Sequence, residues 1–217
     1  VTSTIPGTPW TLIGGNMGSD IGSWTTGTQN INIRFDSVGI YTIKLKMRNS
    51  TLCGMDSITK TICVNPLPTA DFYLSKTSLC VDDSVTAFGI TNIPHCGVNT
   101  YKWTVAYQAV DGCVPAASDY TYLGGTSDTS ANPKIRYNNP GIYAVSLQTI
   151  APGQTCFSPV ITRYDTVKGK PVVTLNAPLS SCESATIAPT AVTACFSTNA
   201  TYQWSFPGGS PASSTLP

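Results

Sequence analysis

Tryptophan recurs in a similar frame three times along this chain. The frames are Pro9-Trp10-Thr11-Leu12-Ile13-Gly14-Gly15, Tyr101-Lys102-Trp103-Thr104-Val105 and Tyr202-Gln203-Trp204-Ser205-Phe206-Pro207-Gly208-Gly209. Their spacings of 93 and 101 residues match the size of a small sandwich domain. The tryptophans therefore read as a ruler for a tandem array. Arrays of this kind hold things apart or hold on to them, and seldom do chemistry.

Composition supports that reading. Charged residues are 11% of the 217 and the formal net charge is +1, so nothing suggests attraction to nucleic acid or an anionic membrane. Thr, Ser, Val, Gly, Pro and Asn dominate, a strand-and-turn composition with almost no helix expected. No run of 18 apolar residues exists, and no membrane insertion is expected. The chain opens at Val1 with no signal peptide, which we read as processing or an internal fragment and not as evidence for the cytosol. Eight cysteines among few charges favour an oxidising, extracytoplasmic compartment. They form no CxxC pairs and the chain has one histidine, so no zinc site is expected.

Other markers keep the same order as the tryptophans. Asn30-Ile31-Asn32-Ile33-Arg34-Phe35 precedes Gly39-Ile40-Tyr41-Thr42-Ile43-Lys44-Leu45, and Asn132-Pro133-Lys134-Ile135-Arg136-Tyr137 precedes Gly141-Ile142-Tyr143-Ala144-Val145-Ser146-Leu147. Both read as strand, short turn, strand, with one apolar and one polar face. Cys53 and Cys156 follow in turns, then returning strands Ser57 to Val64 and Val160 to Val167. Pro-containing junctions come next, Asn65-Pro66-Leu67-Pro68 and Lys168-Gly169-Lys170-Pro171, and read as domain boundaries. New first strands (Ala70 to Ser75; Val172 to Asn176) lead through Cys80 and Cys182 to second strands (Ser84 to Thr91; Ala185 to Thr193). Residues 1–67 thus read as the second half of one domain, 68–171 as a whole domain and 172–217 as the first half of a third. A half sandwich exposes an apolar face and open edges. Either the chain is part of a longer polymer, or another chain completes each half.

The pattern Pro-x-Ala-x-Phe, Cys, Tyr-x-Trp, Asn-Pro and Gly-x-Tyr-x-Val-x-Leu resembles the PKD domain, and more narrowly the cysteine-bearing PKD-like repeats of large secreted Bacteroidetes proteins. Pro68, Ala70, Phe72, Cys80, Tyr101, Trp103, Asn132, Pro133, Gly141, Tyr143, Val145 and Leu147 carry the resemblance in the middle unit. It implies tandem all-β, seven-stranded, immunoglobulin-like sandwiches in cell-surface or secreted proteins, including gliding and adhesion proteins exported by the type IX system. The aspartates usual in the loop after the tryptophan are missing here, which weakens a calcium-binding reading. No cofactor is expected.

The implied topology pairs the cysteines. The second-to-third and sixth-to-seventh strand connections share a pole, which gives Cys96–Cys156; the opposite pole gives Cys80–Cys113. Cys53 and Cys63 would find partners upstream of Val1, and Cys182 and Cys195 downstream of Pro217. The middle unit has Thr166 where the first has Cys63, and it alone has Cys113. That swap suggests that Cys63 and Cys113 each bridge to the first-to-second loop cysteine. Trp10, Trp103 and Trp204 are expected in cores. Trp24 is the best candidate for an exposed, ligand-facing aromatic, followed by Tyr107, Tyr120 and Tyr122 in the 104–131 insertion. Tyr41 and Tyr143 stand where a tyrosine corner sits, its hydroxyl bonded to nearby backbone.

No catalytic set emerges. His95 is alone beside Cys96, and a Cys–His pair needs a free thiolate. Asp82-Asp83 reads as a solvated turn before it reads as a calcium site. Asp-Ser/Thr-apolar triplets recur at Asp36-Ser37-Val38, Asp56-Ser57-Ile58, Asp83-Ser84-Val85 and Asp165-Thr166-Val167. They resemble the Bacteroidetes O-glycosylation pattern, with Ser37, Ser57, Ser84 and Thr166 as acceptors. Asn49-Ser50-Thr51 and Asn199-Ala200-Thr201 fit the N-glycosylation pattern and are discounted in a bacterium. The expected function is structural or adhesive: a segment of an extracellular or cell-surface stalk, filament or gliding/adhesion protein. Its expected partners are neighbouring repeats of the same or an identical chain, with surface glycans or other cell-surface proteins as further candidates. The alternative is a carbohydrate- or protein-binding module of a secreted enzyme, which requires Trp24 or the 107–122 tyrosines to be presented on one surface.

Overall fold

The computed structural model describes residues 2–3, 7, 9–19, 25–49, 54–108, 113, 119–153, 156–170 and 201–215. Among them the regular structure is all strand. In chain order the strands are β1 (Thr2–Ser3), β2 (Trp10–Gly14), β3 (Asn32–Phe35), β4 (Gly39–Arg48), β5 (Met55–Val64), β6 (Asp71–Leu74), β7 (Ser78–Cys80) and β8 (Ser84–Ile90). They continue as β9 (Thr100–Gln108), β10 (Tyr120–Leu123), β11 (Lys134–Tyr137), β12 (Gly141–Ile150), β13 (Ile161–Lys168), β14 (Trp204–Ser205) and β15 (Ser213–Ser214). Two compact units result. Unit 1 is residues 1–69, 91–100 and 149–158; unit 2 is residues 70–90, 101–148 and 159–217.

In unit 1, β4 and β5 pair antiparallel from Gly39↔Val64 to Arg48↔Met55, β1 adds to β4, and β2 pairs with β3. In unit 2, two four-stranded sheets, ordered β10-β11-β8-β6 and β7-β13-β12-β9, share one core, the layering of a β-sandwich. Strand β7 runs parallel to β13. Alternation fills the core: Phe72, Val85, Ala87, Ile135 and Tyr137 from one sheet meet Leu79, Trp103, Tyr143, Val145, Leu147 and Val167 from the other. Trp103 is 2% exposed, donates Nε1–H to the Ser130 carbonyl at 2.8 Å and meets Phe72 edge-on at 5.0 Å.

Strands β4 and β12 open on the same device. Gly39 and Gly141 hold φ of 150° and 154°, a region that penalises a Cβ, and a Cβ at Gly141 would run into the Tyr107 ring. Two residues on, a buried tyrosine turns its hydroxyl back to the chain. Tyr41 donates to the carbonyls of Ser37 (2.6 Å) and Pro9 (3.1 Å); Tyr143 donates to those of Asn139 (2.9 Å) and Asp119 (3.0 Å). Both are the tyrosine corners expected from the sequence. Tyr143→Phe should cost about 1 kcal/mol in chemical denaturation, the net worth of an ordinary hydrogen bond; no measurable change would deny the corner its structural role.

The corners also correct the ruler. Pro9 accepts from Tyr41 and from the Asp36 amide, as Asp119 accepts from Tyr143 and from the Asn138 amide. Trp10 stands opposite Phe35 and Tyr120 opposite Tyr137. The counterpart of Trp10 is therefore Tyr120, not Trp103. Trp10 is half-buried on β2, and the 93-residue spacing is not a repeat period. The matching tyrosines, Tyr41 and Tyr143, are 102 residues apart, close to the 101 from Trp103 to Trp204.

Candidate functional site

Two prolines in three residues set the chemistry after β5. Pro66 and Pro68 carry no amide hydrogen, and each pushes the residue before it toward extended backbone. The segment enters no ladder, and side chains supply its pairing instead. Asn65 Oδ1 accepts from the Cys96 amide at 3.0 Å while its Nδ2 donates to the Cys96 carbonyl at 3.3 Å. One asparagine thus mimics a strand partner, since its amide carries both a donor and an acceptor.

Asn92 makes a second bracket. Its Nδ2 donates to the Leu67 carbonyl at 2.9 Å, its Oδ1 accepts from the Thr69 amide at 3.0 Å, and its own amide donates to Thr69 Oγ1 at 3.1 Å. Buried Asn99 holds the loop in place by donating to Thr91 Oγ1 (2.8 Å) and the Asn92 carbonyl (2.9 Å). Thr149, also buried, donates Oγ1–H to the Thr69 carbonyl at 2.9 Å. A disulfide completes the clasp: Cys63 is bonded to Cys96 across a sequence separation of 33. All of these residues belong to unit 1.

This bond overturns the expected pairings. Cys96 joins Cys63 and not Cys156, and Cys63 needs no partner upstream of Val1. Cys113 is disulfide-bonded, but not to Cys80, which keeps an exposed free thiol. Cys63 and Cys113 therefore do not share the proposed job of bridging to the first-to-second loop. The pole argument treated each repeat as closed. Asn65 to Thr69 run on from β5 beside the β8–β9 loop within unit 1, and that loop carries Cys96. The swap of Cys63 for Thr166 is real in register, since Ile40 pairs with Cys63 and Ile142 with Thr166. Cys53, Cys182, Cys195, Trp24 and residues 171–200 lie outside the described residues.

The candidate aromatics turn inward. Tyr107, Tyr120 and Tyr122 are half-buried and pack against the core of unit 2, Tyr107 edge-on to Tyr143 at 5.4 Å. Burial pushes the Tyr122 hydroxyl up to about 12, with the neighbouring Tyr120 and Asp128 adding to it. They do not form an exposed row. Asp82-Asp83 is a turn: Asp82 has φ 71° and pairs with Lys170, while Asp83 accepts from the Cys80 amide. Among the described residues, His95 is exposed beside a cysteine that has no thiolate to offer. Of the triplet acceptors, Ser37 and Ser57 are exposed and Ser84 and Thr166 half-buried.

One buried group had no clear signal in the sequence. Asp165 is fully buried on β13, and neither carboxylate oxygen makes a well-formed hydrogen bond. Burial raises its pKa to about 6, partly offset by the neighbouring Tyr137 hydroxyl and the Thr166 amide. Burial and the nearby carboxylate also hold the Tyr137 hydroxyl far above its ordinary range. It pairs with Tyr143 as Ile62 pairs with Tyr41, so the matching position on β5 is apolar.

No family model matches the chain, and no curated protein matches it.

Proposed function

We propose that the chain is a load-bearing segment of a long extracellular or cell-surface protein, built from tandem immunoglobulin-like, PKD-like repeats, without catalysis. The clasp at residues 63–69 carries this reading. A junction needed only to connect two domains requires a flexible linker. This one uses two prolines, three asparagines, three threonines and a disulfide to fix about seven residues of backbone. The disulfide also supports an oxidising compartment. Exposed Ser37 and Ser57 are the accessible O-glycan acceptors. The partners are neighbouring repeats.

Single-molecule stretching of the oxidised chain tests the reading. Discrete rupture events are expected, with the residues between Cys63 and Cys96 withheld. Cys63→Ala with Cys96→Ala should add about 110 Å of extension, since about 33 residues then pull straight. Continuous extension without force peaks would deny a load-bearing role. Retention on a polysaccharide array, lost in Trp24→Ala, would favour the binding module instead. In denaturant the same double variant should lose about 2–4 kcal/mol.

A further inference from the structure

Strands β4 and β12 occupy the same place in two repeats. They share the opening glycine, the corner tyrosine and the pairing register with the next strand. Position by position, Leu45 matches Leu147, Met47 matches Thr149 and Ile58 matches Ile161. Their surroundings differ. The inward row of β12, from Tyr143 through Val145 and Leu147 to Thr149, is 0% exposed. On β4 and β5 the matching Leu45, Met47 and Ile58 are 62%, 68% and 54% exposed. Among the described residues β5 is also the edge of its sheet, whereas β13 has β7 along it. An apolar face beside an open ten-residue edge is a template for another segment.

The second repeat says what that segment is. The row on β12 is faced by Phe72, Val85 and Ala87 from residues 70–90, together with Ile135 and Tyr137 of β11. One other stretch of this chain carries that pattern. Val173 and Leu175 have the spacing of Phe72 and Leu74, and the same order follows at slightly different spacings: Cys182 nine residues after Val173 where Cys80 is eight after Phe72, then Ser184-Ala185-Thr186-Ile187 where the other stretch has Ser84-Val85-Thr86-Ala87. We propose that the exposed face of β4 and β5 receives residues 172–193 of a second copy of this chain, so that copies join head to tail. The contact is heterologous, so it propagates a filament unless it closes into a ring. The inference names the partner of the repeat array proposed above and rests on that reading.

The experiment uses the 217-residue chain in light scattering and sedimentation over a range of concentrations. Open-ended oligomers are expected. Leu45→Asp with Ile58→Asp blocks the receiving face, and Val173→Asp with Leu175→Asp blocks the inserted segment. Each variant alone should be monomeric, with far-ultraviolet dichroism like the parent. An equimolar mixture should form a one-to-one complex, because each partner keeps the surface the other lost. A monomeric parent at all concentrations would overturn the proposal, as would oligomers that survive both sets of substitutions. A mixture that stays monomeric would point to a symmetric face-to-face dimer, or to residues 172–193 folding onto their own chain, and would equally overturn it. A monomer that still shows discrete rupture in stretching would keep the load-bearing reading and lose only this one.

Discussion

Asp165→Asn is expected to remove most of the pH dependence of stability between about pH 4 and 6.5 and to stabilise the chain at neutral pH. The carboxyl has a pKa of about 6 in the fold, against an ordinary 3.8. A raised acid is stabilising while protonated. That contribution is complete below about pH 3.8, declines as pH climbs toward 6, and is gone above it. The interval between the two values corresponds to about 3 kcal/mol. The parent should therefore grow less stable from pH 4.5 to pH 7.5, opposite to the usual course of acid denaturation. The window is clean on its acid side. Hydrogen bonds from Thr11 and Arg34 lower the pKa of Asp36, and Arg163 with the Phe72 amide lowers that of Asp71. Those groups lose their contribution only as pH falls below the ordinary carboxylate range. Asparagine leaves a buried amide to satisfy, so its gain at pH 7.5 should fall short of the full amount, at about 1–2 kcal/mol. Urea midpoints of parent and variant at pH 4.5 and 7.5 decide the matter. Parallel shifts for both proteins would mean that Asp165 is ionised and satisfied in the fold.

What could be read in advance followed physical rules that act locally. The Gly-Ile-Tyr openings of β4 and β12 announced strand, turn chemistry and tyrosine corner within a few residues, because alternation and glycine conformation are local properties. Trp10 misled because a residue type was matched without its pairing partner. Only the register opposite Phe35 reveals that it stands where Tyr120 does. Cysteine pairing depends on which chain ends meet in space, and topology within one repeat omits the neighbour that places Cys63 beside Cys96. The clasp itself was half legible. Its prolines marked a boundary, but Asn65, Asn92 and Asn99 looked like ordinary loop residues until their amide partners were known.

The two tryptophans once placed in one frame should part company when truncated. Trp103→Ala removes the largest buried side chain of unit 2, its edge contact with Phe72 and the donor that satisfies the Ser130 carbonyl. The site cannot collapse easily. Gly89 beneath the ring already lets backbone and ring approach closely, with a Cβ there falling 2.8 Å from the Ala131 carbonyl and 3.1 Å from Trp103 Cζ2. The loss should reach about 3–5 kcal/mol, as for other buried aromatics reduced to alanine. Trp103→Phe keeps most of the packing and forfeits the hydrogen bond, so about 1–3 kcal/mol is expected. Trp10 is half-buried on a two-stranded sheet and pairs with Phe35 as Tyr120 pairs with Tyr137. Trp10→Ala should cost no more than about 1–2 kcal/mol, less than the full burial of an aromatic ring. Denaturant unfolding followed by dichroism compares the three variants. Equal losses for Trp10→Ala and Trp103→Ala would restore Trp10 to a core position and the 93-residue spacing to a repeat period.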